Sequence, residues 1–130
     1  MPRGLDLETL KAYLLAKPRA TEEVPFGPQA LVYKVMGKMF ALLAWDENPM
    51  RVSLKCDPDR AEELRKVFPS MCGAPYFNQR HWNAVPLDGS VPQVEILGMI
   101  DDSYDLVVAG LSRRARDHLA TDGDCRTHRQ

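Results

Sequence analysis

The sequence predicts a two-layer α+β domain, with an antiparallel sheet packed by helices on one face. Three observations lead there. A run of antiparallel strands falls between about 30 and 55, and helical periodicity flanks it near 5–16, 58–68 and 92–109. The strands and helices are segregated rather than alternating one for one, the pattern of a two-layer domain. The length, 130 residues at 45% hydrophobic, suits one core that buries roughly two-thirds of the surface the unfolded chain exposes.

The elements follow in chain order. "LDLETLKAYLLAK" places apolar residues at 7, 10 and 14 behind Asp6, which is set as an N-cap, and reads as an amphipathic helix. "KPRATEEVPFGPQ" carries three prolines, which remove backbone donors, so it is expected to be an ordered loop with Glu22 and Glu23 solvated. "ALVYKVMGKMFALLAW" is broken at Met36-Gly37, where glycine tolerates the positive φ of a tight hairpin. Strands of about 30–36 and 38–45 result. A two-residue turn sets Val35 opposite Lys38 and Lys34 opposite Met39, with the two lysines on opposite faces.

"RVSLK" (51–55) alternates, with Val52 and Leu54 on one face and Arg51, Ser53 and Lys55 on a wet one. Asp57 and Pro58 open the next helix, whose apolar stripe is expected to be Leu64, Val67 and Phe68. "YFNQRHWN" (76–83) and its flanks read as a short strand-turn-strand. "SVPQ" (90–93) has capping-box spacing with Ser90 as cap, ahead of a helix striped by Ile96, Leu97, Ile100, Tyr104, Val107, Val108 and Leu111. The order is α-β-β-β-α-β-β-α. Residues 1–111 form one domain, and 112–130 form a polar tail expected to fray. With all helices on one side, the other sheet face is left for water or a partner.

Composition narrows the function. The tail holds five arginines and three aspartates, so the first 111 residues carry 12 basic against 15 acidic side chains, a net of −3. A body with that balance has no global pull toward phosphate, and any nucleic-acid contact must be local and salt-sensitive. Three cysteines without a CxxC pair, no membrane-length apolar run and no signal-peptide core point to a cytoplasmic protein with reduced thiols.

Catalytic motifs are missing: there is no phosphate loop, GxSxG elbow or HExxH. A Cys72–His81 nucleophile pair lacks any feature that lowers the thiol pKa, and the adjacent Asp101 and Asp102 point apart on a helix. Cys125-x-x-His128 with His118 falls short of an ordered four-ligand site, so no metal and no cofactor are expected. The chain reads as a non-enzyme.

The octet is the remaining candidate. Arg80 and His81 can donate to phosphate, Asn78, Gln79 and Asn83 can bond bases or backbone, and Tyr76, Phe77 and Trp82 can stack on bases. The competing reading is structural, with Trp82 plugging the core and Asn78 and Asn83 holding a tight turn.

Four stretches resemble the MmcQ/YjbR family of small bacterial proteins: "ATEEVPFGPQALVYKVMGKMFALL", "SLKCDPDRAEELR", "NQRHWNAVPLDGSVP" and "ILGMIDDSYDLVVAGL". They span nearly all of residues 5–111. The resemblance implies a CyaY-like or secretion-chaperone-like fold and DNA binding through a double-wing arrangement of strands and loops. Where the family octet often carries a histidine and a lysine, this chain has Tyr76 and Gln79, while the RHWN word is intact at Arg80, His81, Trp82 and Asn83. The expected surface is thus a β-turn-β wing with Trp82 packed inward. Arg80 and His81 stand beside Arg51 and Lys55, with Asn78 and Asn83 as further contacts. DNA is the expected partner, and a protein or peptide on the free sheet face is the alternative.

Overall fold

In the computed structural model, residues 6–24, 30–46, 49–74 and 78–114 are described. The element order is α1 (Leu7–Leu15), β1 (Ala20–Glu23), β2 (Leu31–Val35), β3 (Lys38–Ala44), β4 (Arg51–Lys55), α2 (Pro58–Val67), β5 (Cys72–Gly73), β6 (Trp82–Pro86) and α3 (Gln93–Ala109). The strands form one antiparallel sheet in the order β1-β2-β3-β4-β6-β5. The predicted α+β fold is the one found. No described helix is long and apolar enough to cross a membrane.

Strand β1 is the element the sequence reading missed. Ala20–Glu23 pairs with β2 in the stretch expected to be a loop, and of its four residues Ala20 alone packs against the hydrophobic core. Three of its four residues are exposed, so no alternation of apolar side chains announces it. Its acids are not simply solvated either. Tyr33 Oη donates to Glu22, and Lys34 pairs with Glu23 at 3.1 Å.

The hairpin has the predicted register, Val35↔Lys38 and Lys34↔Met39, with Met36 (φ 50°) and Gly37 (φ 82°) both left-handed as a two-residue hairpin turn requires. A bulge follows at Phe40. Ser103 of α3 bridges the strands there: its hydroxyl donates to the Phe40 carbonyl (2.6 Å) and accepts from the Lys55 amide (2.9 Å). Phe40 meets the Tyr104 ring edge-on, centroids 5.3 Å apart.

The core lies between this sheet face and the helices, and includes Tyr33, Ala41, Leu43, Val52, Leu54 and Val85 from the strands. Leu10 and Leu14 of α1 and Ile96, Ile100, Tyr104 and Val107 of α3 close it. Two helix details differ from expectation. Val67 is 60% exposed and Ala61 takes its place with Leu64, because α2 touches the sheet on a narrower stripe than its composition suggests. Ser90 does not cap α3. Its amide and hydroxyl both donate to Asp88 Oδ1, which spends them on the Asp88-Gly89 turn, and the helix starts after Pro92.

The second sheet face is not the open surface predicted. Val32, Ser53 and Ala84 on it are all buried. Ser53 and Ala84 are cross-strand partners, two short side chains between the longer Arg51, Lys55 and Trp82. What this face presents lies at its ends.

Candidate functional site

The wing forms where β4, β5 and β6 meet. Asn78 Oδ1 accepts from the Arg80 amide (3.0 Å), and the His81 amide donates to the Asn78 carbonyl (2.9 Å), so Asn78 closes a tight turn with both its side chain and its backbone. Tyr76 and Phe77 lie outside the described residues. From α2, Arg65 grips the turn: its guanidinium donates to the Gln79 carbonyl, to the Trp82 carbonyl (3.5 Å) and to Asn83 Oδ1 (2.6 Å). Asn83 Nδ2 continues to the Ala61 carbonyl (3.4 Å). Arg65 is the residue sequence reasoning overlooked. Its charge in the last turn of α2 reads as a helix-dipole partner, and nothing local marks it as the clamp of a loop fourteen residues away.

Strand parity then sorts the octet. Ladder bonds run from Cys56 N to the His81 carbonyl (2.7 Å) and from Leu87 N to the Met50 carbonyl (2.7 Å), so Lys55↔Trp82 and Arg51↔Pro86 are non-hydrogen-bonded pairs. Side chains approach most closely in such pairs. Lys55 and Trp82 therefore stand together on the face away from the helices. Asn83 pairs with Leu54 on the helix side and is 2% exposed.

Three expectations are corrected. Trp82 is half-buried and stands apart from the hydrophobic core, and Asn83 is a buried internal ligand of Arg65 instead of an outward contact. His81 takes the position opposite Cys56, the parity of the helix side, so it is parted from Lys55 and half-buried. Arg80 and Asn78 are exposed as predicted.

Arg51 shares Lys55's face at the opposite end of β4, four residues or ~13 Å away. It lies near acid. Ser90 hydrogen bonds hold the Asp88 carboxyl below its ordinary value, and the charge of Arg51 adds to that. Among the described residues no ion pair engages Lys55 or Arg80.

Cys72 pairs with Ala84 on the outer face, whereas His81 has the opposite parity, so the register does not bring them together as nucleophile and base. Burial pushes the Cys56 thiol up, away from thiolate character. Among the described residues no group of three His, Cys, Asp or Glu lies close enough to hold a metal, and Cys125, His118 and His128 fall outside them.

The YjbR family model matches residues 15–106. The chain belongs to the YjbR family. It is 35% identical over 115 residues to the Escherichia coli (strain K12) protein named "Uncharacterized protein YjbR", covering 88% of this chain and 98% of that one. It is 32% identical over 107 residues to "Uncharacterized protein YbdF" of Escherichia coli O157:H7, covering 82% and 88%. A crystal structure of a Deinococcus radiodurans protein with a DUF419 domain superposes with a TM-score of 0.81 at 35% identity, over 88% of this chain and 87% of that one. A Pseudomonas syringae protein superposes at 0.68 and 26% identity, over 78% and 98%. The wing, its clamp and every element from β1 to β6 fall inside the YjbR match, which takes in only the last residue of α1 and stops three residues short of the end of α3.

Proposed function

We propose that this YjbR-family protein is a non-enzymatic binding protein that holds a nucleic-acid backbone through Lys55 and Arg80. The observation that supports this is their shared position: two cations at one end of the sheet, Lys55 closing β4 and Arg80 on the turn fixed by Asn78 and Arg65, without an ion pair among the described residues. Arg51, on the same face, supplies a third charge further along, offset by Asp88. Phosphate contacts position a ligand without reading its bases, so the binding is weak and general.

Two or three neutralised phosphates correspond to a slope of log K against log salt of about −2 to −3. Fluorescence anisotropy with labelled oligonucleotides between 50 and 200 mM salt is the measurement. Lys55→Ala and Arg80→Ala should each weaken all sequences about equally and flatten the slope by about one. A second reading, a peptide partner on the same face, draws on Leu42 and Trp82, both half-exposed there. Absence of binding at ~50 mM salt would favour it over nucleic acid.

A further inference from the structure

The charged side chains of the sheet are sorted along its strands. Lys38 opens β3, Lys55 closes β4 and Arg80 precedes β6, and since these neighbours are antiparallel all three lie at one end. At the other end Glu23 closes β1, Asp46 and Asp88 follow β3 and β6, and Arg51 opens β4. We infer that, within the backbone-binding reading above, the nucleic acid crosses the Lys55 end of the sheet instead of lying along its outer face. Lys38 is then the third phosphate contact.

The register fixes the arrangement. Ser103 Oγ donates to the Phe40 carbonyl (2.6 Å) and accepts from the Lys55 amide (2.9 Å), so Phe40 and Lys55 are level on β3 and β4. The Lys55↔Trp82 pair carries the row on to β6. Lys38 and Arg80 each stand two residues beyond that row, toward the same end. Strands lie about 4.8 Å apart, so the backbones at Lys38 and Arg80 are roughly 10 Å from each other, with Lys55 between them.

The cations do not all leave the sheet on one side. Val35, the cross-strand partner of Lys38, is in the core, so Lys38 leaves on the helix side, whereas Lys55 leaves on the outer one. A ligand on the outer face would meet Lys55 and then Arg51 with its acid neighbour Asp88. One that crosses the end meets Lys38, Lys55 and Arg80 together. Lys38 and Arg80 are exposed, and no ion pair among the described residues engages either. The acid nearest to the three in sequence is Asp57, and it faces the positive end of the α2 dipole. With a body that is acidic in net charge, attraction for phosphate must come from such local sorting, and here it draws the ligand to one end.

The test is fluorescence anisotropy of the full chain at ~50 mM salt, with a labelled ten-nucleotide deoxythymidine strand and a duplex of equal length. Lys38→Ala should weaken binding about 10-fold, as Lys55→Ala does, and flatten the slope of log K against log salt by about one. Arg51→Ala should change affinity by less than about twofold, since it lies on the order of a Debye length from the other three. Lys38→Arg keeps the charge and should bind as the parent does. Lys38 is exposed, so its substitutions should leave the urea midpoint nearly unmoved, and Lys38→Met, which keeps the stem, serves if the alanine variant is unstable. Folded, uncharged Lys38 variants that bind like the parent overturn the crossing and leave backbone binding standing. A loss in Arg51→Ala equal to that in Lys55→Ala does the same, because it lays the ligand along the outer face. Failure of the parent to bind either form overturns both readings.

Discussion

Asn83 and Trp82 are neighbours on one strand, and the pleat sends them to opposite sides of the sheet. Choosing which of the two faces inward fixes the whole strand, since a shift of one residue moves every side chain to the other face. The sequence reading put the large aromatic ring inside, and the phase came out reversed. The information was present in the neighbours: Val85 and Leu87 share the parity of Asn83, while Ala84 and Pro86 share that of Trp82. The aliphatic pair marks the core side more reliably than one amphipathic tryptophan, a residue that is rarely fully buried. The consequence is measurable in urea unfolding. Asn83→Ala removes the acceptor for the Arg65 guanidinium in a buried setting, so it should cost about 1–3 kcal/mol. Arg80→Ala, at an exposed turn position, should stay within about 0.5 kcal/mol. An Arg80 cost equal to that of Asn83 would contradict the assignment of one to the fold and the other to the surface.

At the scale of elements, the helices and the hairpin were legible because their signals are local. Asp6 caps α1 through the Thr9 amide (2.8 Å), and Pro58 opens α2. Met36-Gly37 turns the chain with the register that a two-residue loop dictates. What was not legible depends on partners distant in sequence. Strand β1 exists because β2 offers it a ladder, and the wing keeps its shape because Arg65 reaches it from α2. Gly73 of β5 shows the same dependence. A Cβ there would lie 2.7 Å from Gln79 Cβ and 2.9 Å from its Cγ, at the root of a side chain whose own carbonyl Arg65 holds. The turn cannot yield by rotating a distant group, so Gly73→Ala should destabilise by about 1–3 kcal/mol and weaken oligonucleotide binding with it. In a Gln79→Gly background the same substitution should cost much less, because the obstructing atoms are gone. A double-mutant cycle in urea checks this, and additive costs would show that the two positions do not touch.

Across the whole molecule, α1 and α3 are far apart in sequence and meet at one polar cluster. Lys17 and Tyr13 both bond Asp101, Lys17 Nζ lies 5.0 Å from the Tyr13 ring centroid and 5.8 Å from that of Tyr104, and Tyr104 Oη donates to the Pro18 carbonyl (2.7 Å). None of this was readable beforehand, because Asp101 beside Asp102 looks like an ordinary solvated pair on a helix. The helix turns by about 100° from one residue to the next, which parts them, and Asp102 faces Arg60 instead, at 3.6 Å. Burial alone would raise the Asp101 carboxyl. The hydrogen bonds from Lys17 and Tyr13 outweigh it, and the group titrates below its ordinary 3.8. The sign of the effect follows. A carboxyl whose pKa is lower in the folded chain than in the unfolded one adds stability that is fully present above the unfolded value and is lost as pH falls through the folded one. Because its side chain is 44% exposed, solvent screens the pair and the contribution is held to about 1 kcal/mol or less. Asp101→Asn should therefore be destabilised relative to the parent by a constant amount from about pH 5 to 7, a gap that closes as pH is taken below 3.8. Paired urea titrations at each pH measure it. A gap that stayed constant down to pH 2 would mean that Asp101 contributes through packing, with its charge irrelevant to the joining of the two helices.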